Sequence, residues 1–233
     1  MEIVTRGYEP KDAIEFGVNS AEKLTSAAQE LYFLLNRGYD VKSSSTFIGN
    51  HYLLSERQRM ALARIVSPEL SIQNRNEKEL KKAPKTLVFD GFNTIITLEI
   101  ALSGSLLIKG MDGTIRDLAG LRGTYRIIDK THKAVELLFN RLELLKVEHV
   151  LFYLDQQVSN SGRLKSLLLE QSEKYSTQIE VELHPQVDSQ LFSLEHVVTS
   201  DAIILDKCKS WYNFNDGLIQ DSISNAWIFK IEP

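Results

Sequence analysis

Leu87-Val88-Phe89-Asp90-Gly91-Phe92-Asn93 decides how this chain is read. A short apolar run rich in Val, Leu and Phe is the pattern of a strand buried on both faces of a parallel sheet. It ends in an acid, and the glycine that follows permits a tight turn into a helix. Two later runs repeat the arrangement: Val150-Leu151-Phe152-Tyr153-Leu154-Asp155 and His196-Val197-Val198-Thr199-Ser200-Asp201. Open α/β sheets bind ligands outside the carboxyl ends of their strands. Strands that end in Asp therefore aim carboxylates at one place, which suggests a divalent-metal site more than a packing requirement.

Working outward from these runs, the chain alternates as a doubly wound α/β fold does. A strand at 86–90 leads to a helix over 93–103, then an irregular segment, 104–129, with five glycines and room for a short hairpin. Thr131 is read as the cap of a helix with Val135, Leu138, Leu142 and Leu145 on its apolar face. A strand at 149–155, a helix carrying Leu164, Leu167, Leu168 and Tyr175, a strand at 179–183, a helix over 188–195 and strands at 196–200 and 225–230 complete the unit. The first and fourth strands are expected side by side at the switch point, which brings Asp201 close to Asp90.

The first seventy-five residues read as a small all-α domain. Leu24, Ala27, Ala28, Leu31, Leu34 and Leu35 have helical spacing, with Ser20 as N-cap and Gly38 as the stop. Residues 11–17 form a shorter helix, and another starts after Ser55 and ends before Pro68. The Ser-rich stretch from Val41 to Leu54 reads as a polar connection, and 76–85 as a basic polar linker to an α/β domain over 86–233.

The net charge of −4 carries no global nucleic-acid signature. A lone cysteine, Cys208, excludes an internal disulfide and a Cys-based zinc site and fits a reducing compartment. With no membrane-length apolar run and no signal-peptide organisation, the expected location is cytoplasmic, with no membrane partner.

Asp90, Asp155 and Asp201 are the primary catalytic and metal-binding candidates. Asn93 can orient a carboxylate or a metal-bound water, and Thr199 and Ser200 can hold the turn before Asp201. Asp90 and Asn93 read equally well as a helix cap. Asp206 is expected to face the same pocket as Asp201, and Asp188 is a further acid with a competing reading as an N-cap. Clustered carboxylates cannot all stay ionised without a cation. Hard oxygen ligands favour Mg²⁺ or Mn²⁺, whose commonest use in such a site is phosphodiester hydrolysis. Lys109, Arg116 and Arg163 are candidate contacts to substrate phosphate, and the glycine-rich segment adds Arg122 and Arg126. That segment reads alternatively as a solvated hairpin, or as a cover over the acids. Trp211-Tyr212-Asn213-Phe214 fits packing better than base stacking, and Cys208 has no neighbouring base.

The strand ending in Asp90 with Gly91-Phe92-Asn93, the strand-ending Asp155, and Val197-Val198-Thr199-Ser200-Asp201 with Asp206 resemble the PIN/NYN-type nuclease superfamily over about residues 85–233. The resemblance implies a Rossmann-like parallel sheet, Mg²⁺ or Mn²⁺ on acids at the strand ends, and cleavage of RNA. By motif, Asp90, Asp155, Asp201 and Asp206 would hold metal, Asn93 would be the first-motif asparagine and Ser200 its polar neighbour. Asp188 stands where some members carry an acid. The whole chain also resembles a family that attaches a small helical domain to a PIN-like one, which implies no settled activity. The leading expectation is a metal-dependent endoribonuclease with RNA as partner, a homodimer being left open. The competing expectation is a non-catalytic RNA- or protein-binding module on the same scaffold. A phosphatase is disfavoured because Gly91 and Phe92, not a second acid, follow Asp90.

Overall fold

A computed structural model describes residues 5–119 and 123–231. Its centre is a four-stranded parallel sheet of β1 (Thr86–Asp90), β4 (His149–Asp155), β5 (Gln178–His184) and β6 (Val197–Val198) in the order β5-β4-β1-β6. Phe89 pairs with Phe152 on one side and with Val198 on the other. The expected adjacency of the first and fourth strands is thus present, although β6 is only two residues long.

Helices cover both faces of the sheet. Leu87, Phe89, Val150 and Phe152 point into a core with α6 (Gly91–Leu102), α7 (Asp129–Leu144), α8 (Ser161–Ser172) and α11 (Phe214–Ser222). Phe89 stacks on Phe152 at 4.8 Å and meets Phe214 edge-on at 5.1 Å. Val88, Leu151 and Tyr153 face the opposite way, toward α9 (Val187–Leu191), α10 (Ala202–Lys207) and Trp211. This two-sided burial is why the strands read as continuous apolar runs. Trp211 and Phe214 are fully buried, in line with packing rather than base stacking. Cys208 is buried too, and burial pushes its thiol up.

Beside Thr131, which stands third in α7 while Ile128 takes the N-cap position, four expectations from the sequence are corrected. The long N-terminal helix, α2, runs Val18–Asn36 with Gly17, not Ser20, at its N-cap. Val41 to Leu54 is not a polar connection: Asp40 accepts bonds from the Lys42 and Ser43 amides and starts α3 (Val41–His51). The strand read at 225–230 is β7 (Trp227–Phe229), and it belongs to a second sheet, β3-β2-β7, with the hairpin β2 (Leu106–Lys109) and β3 (Ile115–Asp117) from the glycine-rich segment. The hairpin turns through Gly113 at φ +80, and a Cβ at Gly110 would meet the Arg116 guanidinium at 2.5 Å. Of that segment, Gly120, Leu121 and Arg122 lie outside the described residues.

The fourth correction concerns the linker. Its first part is helix: α5 (Glu69–Lys78) follows α4 (Glu56–Ile65), whose Ser55 and Gln58 form a capping box. Leu106, Ile108, Leu118, Phe229 and Ile231 share one core with Leu24, Leu31, Ile48 and Leu62 of the helical region, so the small sheet joins the two units. Arg75 of α5 is 3% exposed. Its guanidinium contacts Asp112 in the hairpin turn at 2.6 Å, Asp206 of α10 at 2.6 and 2.9 Å, and the Ser67 hydroxyl at 3.0 Å. Its carbonyl accepts from the Trp211 indole at 2.7 Å. Among the described residues, no helix is long and apolar enough to cross a membrane.

Truncating one partner of a buried ion pair strands the other charge. Arg75→Ala is therefore expected to lower unfolding free energy by roughly 3–5 kcal/mol, measured from urea denaturation curves. An exposed linker arginine would change it by less than about 0.5 kcal/mol.

Candidate functional site

At the carboxyl edge of the parallel sheet a cavity of about 350 Å³ is lined by Asp90, Asn93, Asp155, Asp188, Ser200 and Asp201, and on its other wall by Arg64, Arg116, Asp117 and Ala119. The volume is at the lower end of the range for ligand pockets, about 300–1,000 Å³.

Each acid arrives from the end of its own strand or the turn beyond it, and local backbone needs hold most of them there. Asp90 closes β1 and caps α6, taking the Asn93 amide at 3.4 Å, while its other oxygen accepts from the Thr199 hydroxyl at 2.9 Å. Gly91 lets α6 begin against β4, since a Cβ there would lie 2.5 Å from Leu154 and 2.9 Å from the Tyr153 carbonyl. Asp155 ends β4 and accepts the Gln157 amide at 2.8 Å. Asp201 caps α10 through the Ile203 and Ile204 amides at 2.8 and 3.1 Å. Asp188 lies in the first turn of α9, whose N-cap is Gln186.

Asn93 ties the two central strands together at this edge. Its Oδ1 accepts from both the amide and the hydroxyl of Ser200, at 2.9 and 3.0 Å. The Thr199 hydroxyl in turn accepts the Asp201 amide at 3.1 Å. Asn93, Thr199 and Ser200 hence position Asp90 against Asp201.

The acids repel one another across the pocket. Burial pushes the Asp90 carboxyl up to about 7, and the neighbouring charges of Asp188 and Asp201 push the same way against the bonds from Thr199 and Asn93. Asp188 is raised by burial and then by Asp201 and Asp155. Asp188 thus connects the set electrostatically. Among the described residues, no three carboxylate, imidazole or thiol groups converge closely enough to enclose an ion. The acids ring the pocket instead of meeting at a point.

The remaining candidates lie elsewhere. Asp206 is held by Arg75, away from the pocket. Five helical steps from Asp201 turn a side chain by about 140°, so the two acids face different ways. Lys109 pairs with Asp216 at 3.1 Å and is not in the pocket wall. Arg163 is exposed on α8, outside the lining, because Leu164, Leu167 and Leu168 take the inward face. Arg116 does line the pocket, but its guanidinium is buried and donates to the Ser200 carbonyl at 2.7 Å, to the Arg64 carbonyl and to Asp112. It is a structural tie, not a free phosphate contact. The glycine-rich segment builds one wall of the pocket through Arg116, Asp117 and Ala119.

Two lining residues were not singled out by the sequence. Asp117 is pushed up by burial, against the pull of Arg64, and its Oδ1 is buried without a hydrogen-bond partner among the described residues. Arg64 belongs to the helical region, which also carries Arg37, Arg57 and Arg59. Those three are committed elsewhere, Arg37 over the Phe33 ring, Arg57 on Asp12 and Arg59 on Asn50, and Arg64 alone reaches the pocket.

A strand-end acid pocket on a parallel α/β sheet defines the structural class. Comparison with known families places the chain more closely. The family described as "Domain of unknown function (DUF5616)" matches residues 78–217, and "Protein of unknown function (DUF434)" matches residues 23–78. An uncharacterized protein of Methanocaldococcus jannaschii is 34% identical over 185 residues, covering 78% of this chain and 88% of the relative. The chain belongs to the DUF5616 family, preceded by a DUF434 region. No solved structure matches it.

The raised Asp90 has a measurable consequence. An acid whose folded pKa exceeds its unfolded value of about 3.9 favours folding fully below that value, and the advantage is lost as pH rises to about 7. In metal-free protein, Asp90→Asn should unfold at a higher urea concentration than wild type at pH 8.5. The gap, up to about 4 kcal/mol, should shrink steadily toward pH 5.

Proposed function

We propose that the chain is a Mg²⁺- or Mn²⁺-dependent ribonuclease of PIN-like, Rossmann-like architecture. What carries the reading is the convergence of Asp90, Asp155, Asp188 and Asp201, from four different strand-to-helix junctions, on one open pocket at the carboxyl edge of the sheet. Asp188 and Asp201 raise the cost of ionising Asp90, and Asp201 and Asp155 that of Asp188, so the set is expensive to keep unless a cation neutralises it. All the donors are hard oxygens, the set that suits Mg²⁺ or Mn²⁺. Mg²⁺ keeps several of its waters and takes few direct carboxylates, so a ring of acids around a pocket fits it without three of them touching one point. Asp90, Asp188 and Asp201 would hold it, with Asp155 at the pocket's edge.

When bound, such an ion supplies a water acidic enough to attack phosphorus and neutralises charge on the phosphoryl oxygens. The protein's share is placement. Thr199 fixes one oxygen of Asp90, Asn93 fixes the backbone before Asp201, and bonds from backbone amides keep Asp201 and Asp155 from rotating away. Without a cation Asp90 keeps its proton up to about pH 7, so taking up the ion would release it. That the acids do not close on a point also favours a second reading, a module that binds RNA without cutting it.

One assay separates the two. With Mn²⁺, the wild type should cleave labelled single-stranded or structured RNA, and excess EDTA should stop it. Asp90→Asn/Asp201→Asn should reduce the rate by at least about a hundredfold, the loss of several kcal/mol of charge stabilisation. Equal cleavage by the double variant would sink the nuclease reading. RNA binding that survives EDTA and the double substitution, with no cleavage, would establish the binding module.

A further inference from the structure

The geometry points to Arg64, from the N-terminal helical region, as the side chain that seats a substrate phosphate in the acid pocket. This rests on reading the pocket as a phosphodiester site. Five aspartates line the pocket, Asp90, Asp117, Asp155, Asp188 and Asp201, against two arginines, Arg64 and Arg116. A polyanion entering it meets like charge on most sides, so a cation on the wall has to receive it.

Arg116 cannot, because its side chain is 6% exposed and its three nitrogens already serve Ser200, Arg64 and Asp112. Arg64 has the opposite disposition. Its side chain is 37% exposed at the last turn of α4. Nη1 donates to the Asp117 carbonyl, and the Asp117 carboxylate stands 3.8 Å away, beyond hydrogen-bond reach. Among the described residues no protein acceptor is bonded to Nε or Nη2. One corner of the guanidinium is anchored, the rest of the fork has no protein partner among the described residues, and the residue lines the pocket.

The backbone beneath it is fixed as well. The Arg64 carbonyl accepts from Arg116, whose Nε bonds the Ser200 carbonyl, the residue before Asp201. The fork and the acids are thereby held in register by a single intervening side chain. A planar fork of this kind matches the paired oxygens of a phosphodiester, which a lysine ammonium does not.

The test measures binding of a fluorescein-labelled single-stranded oligoribonucleotide by anisotropy, across a salt series, in an Asp90→Asn background. Adding Arg64→Ala should weaken binding about tenfold and reduce the slope of log K against log salt by about 0.7, the value for one lost phosphate contact on a single strand. Arg64→Lys should restore the slope and only part of the affinity, and urea midpoints establish that each variant is folded. In parallel, Arg64→Ala alone should raise KM for Mn²⁺-dependent cleavage more than it lowers kcat. An unchanged affinity and slope with Arg64→Ala overturns the inference, and if wild type still cleaves, the nuclease reading stands without it. A loss of affinity and slope supports Arg64 whether or not the wild type cleaves. If wild type neither binds nor cleaves RNA, both readings fall together.

Discussion

A buried ionic network holds the molecule's parts in register. Arg75 and Arg116 share the Asp112 carboxylate, and Arg75 also holds Asp206. Two positive and two negative groups leave the network formally neutral, which is the condition for burying charge at all. Desolvation alone would raise Asp112, yet the pull of Arg116, a bond from Thr114 and the pull of Arg75 bring it below its ordinary value. Such a network is poor evidence of extra stability, because an apolar replacement of the same shape often does as well. What it supplies is registry. From this one cluster, bonds run to α4, α5, the β2–β3 hairpin, the end of β6 and α10.

Registry matters because the pocket is assembled from parts distant in sequence. Ser200 is held from one side by Arg116 and from the other by Asn93. A displacement of the hairpin or of α4 would therefore be felt at Asp201. The backbone amides bound by Asp90, Asp155 and Asp201 act in the same direction. A carboxylate has about four acceptor positions, and a backbone amide or two uses only some of them. The structural reading of these acids as caps and the functional reading as ligands are therefore compatible, and the first prepares the second by fixing the side chain before any cation or substrate arrives.

The strand-end acids were legible because buried parallel strands leave an unbroken apolar signature, and an acid at its end stands out. The adjacency of β1 and β6 followed from topology. What sequence patterning lost was buried charge. Arg75 lies at the edge of a stretch so polar that it reads as a linker, since arginine is rarely a core residue unless paired, and its partners Asp112 and Asp206 are distant along the chain. Asp206 was read with Asp201 from their spacing of little more than one helical turn and from the motif, and the turn of α10 instead points them apart. α3 was missed because its run of Ser and Thr, with Gly49, has weak helical propensity. Its Asp40 cap is a local signal, whereas a contact so close that a Cβ on Gly49 would lie 2.7 Å from Arg59 is a tertiary fact. Arg64 was invisible as a pocket residue for the same reason: its role exists only once the helical region packs on the sheet.

That packing bears on how the family divides. The two family matches meet at residue 78, the last residue of α5. Arg75 lies just before that boundary, while Asp112, Arg116 and Asp206 lie after it. A cut there would leave Asp112 with one buried cation instead of two, and would expose Leu106, Ile108 and Phe229, which complete the helical region's core. It would also take Arg64 from the pocket wall. Similarity to the Methanocaldococcus jannaschii protein extends over 185 residues, more than the whole stretch from 78 to the C-terminus of this chain, so it must reach into the helical region. The helical region and the α/β region share apolar packing and a charge network at their junction. The sequence pattern changes at residue 78, and the packing continues across it.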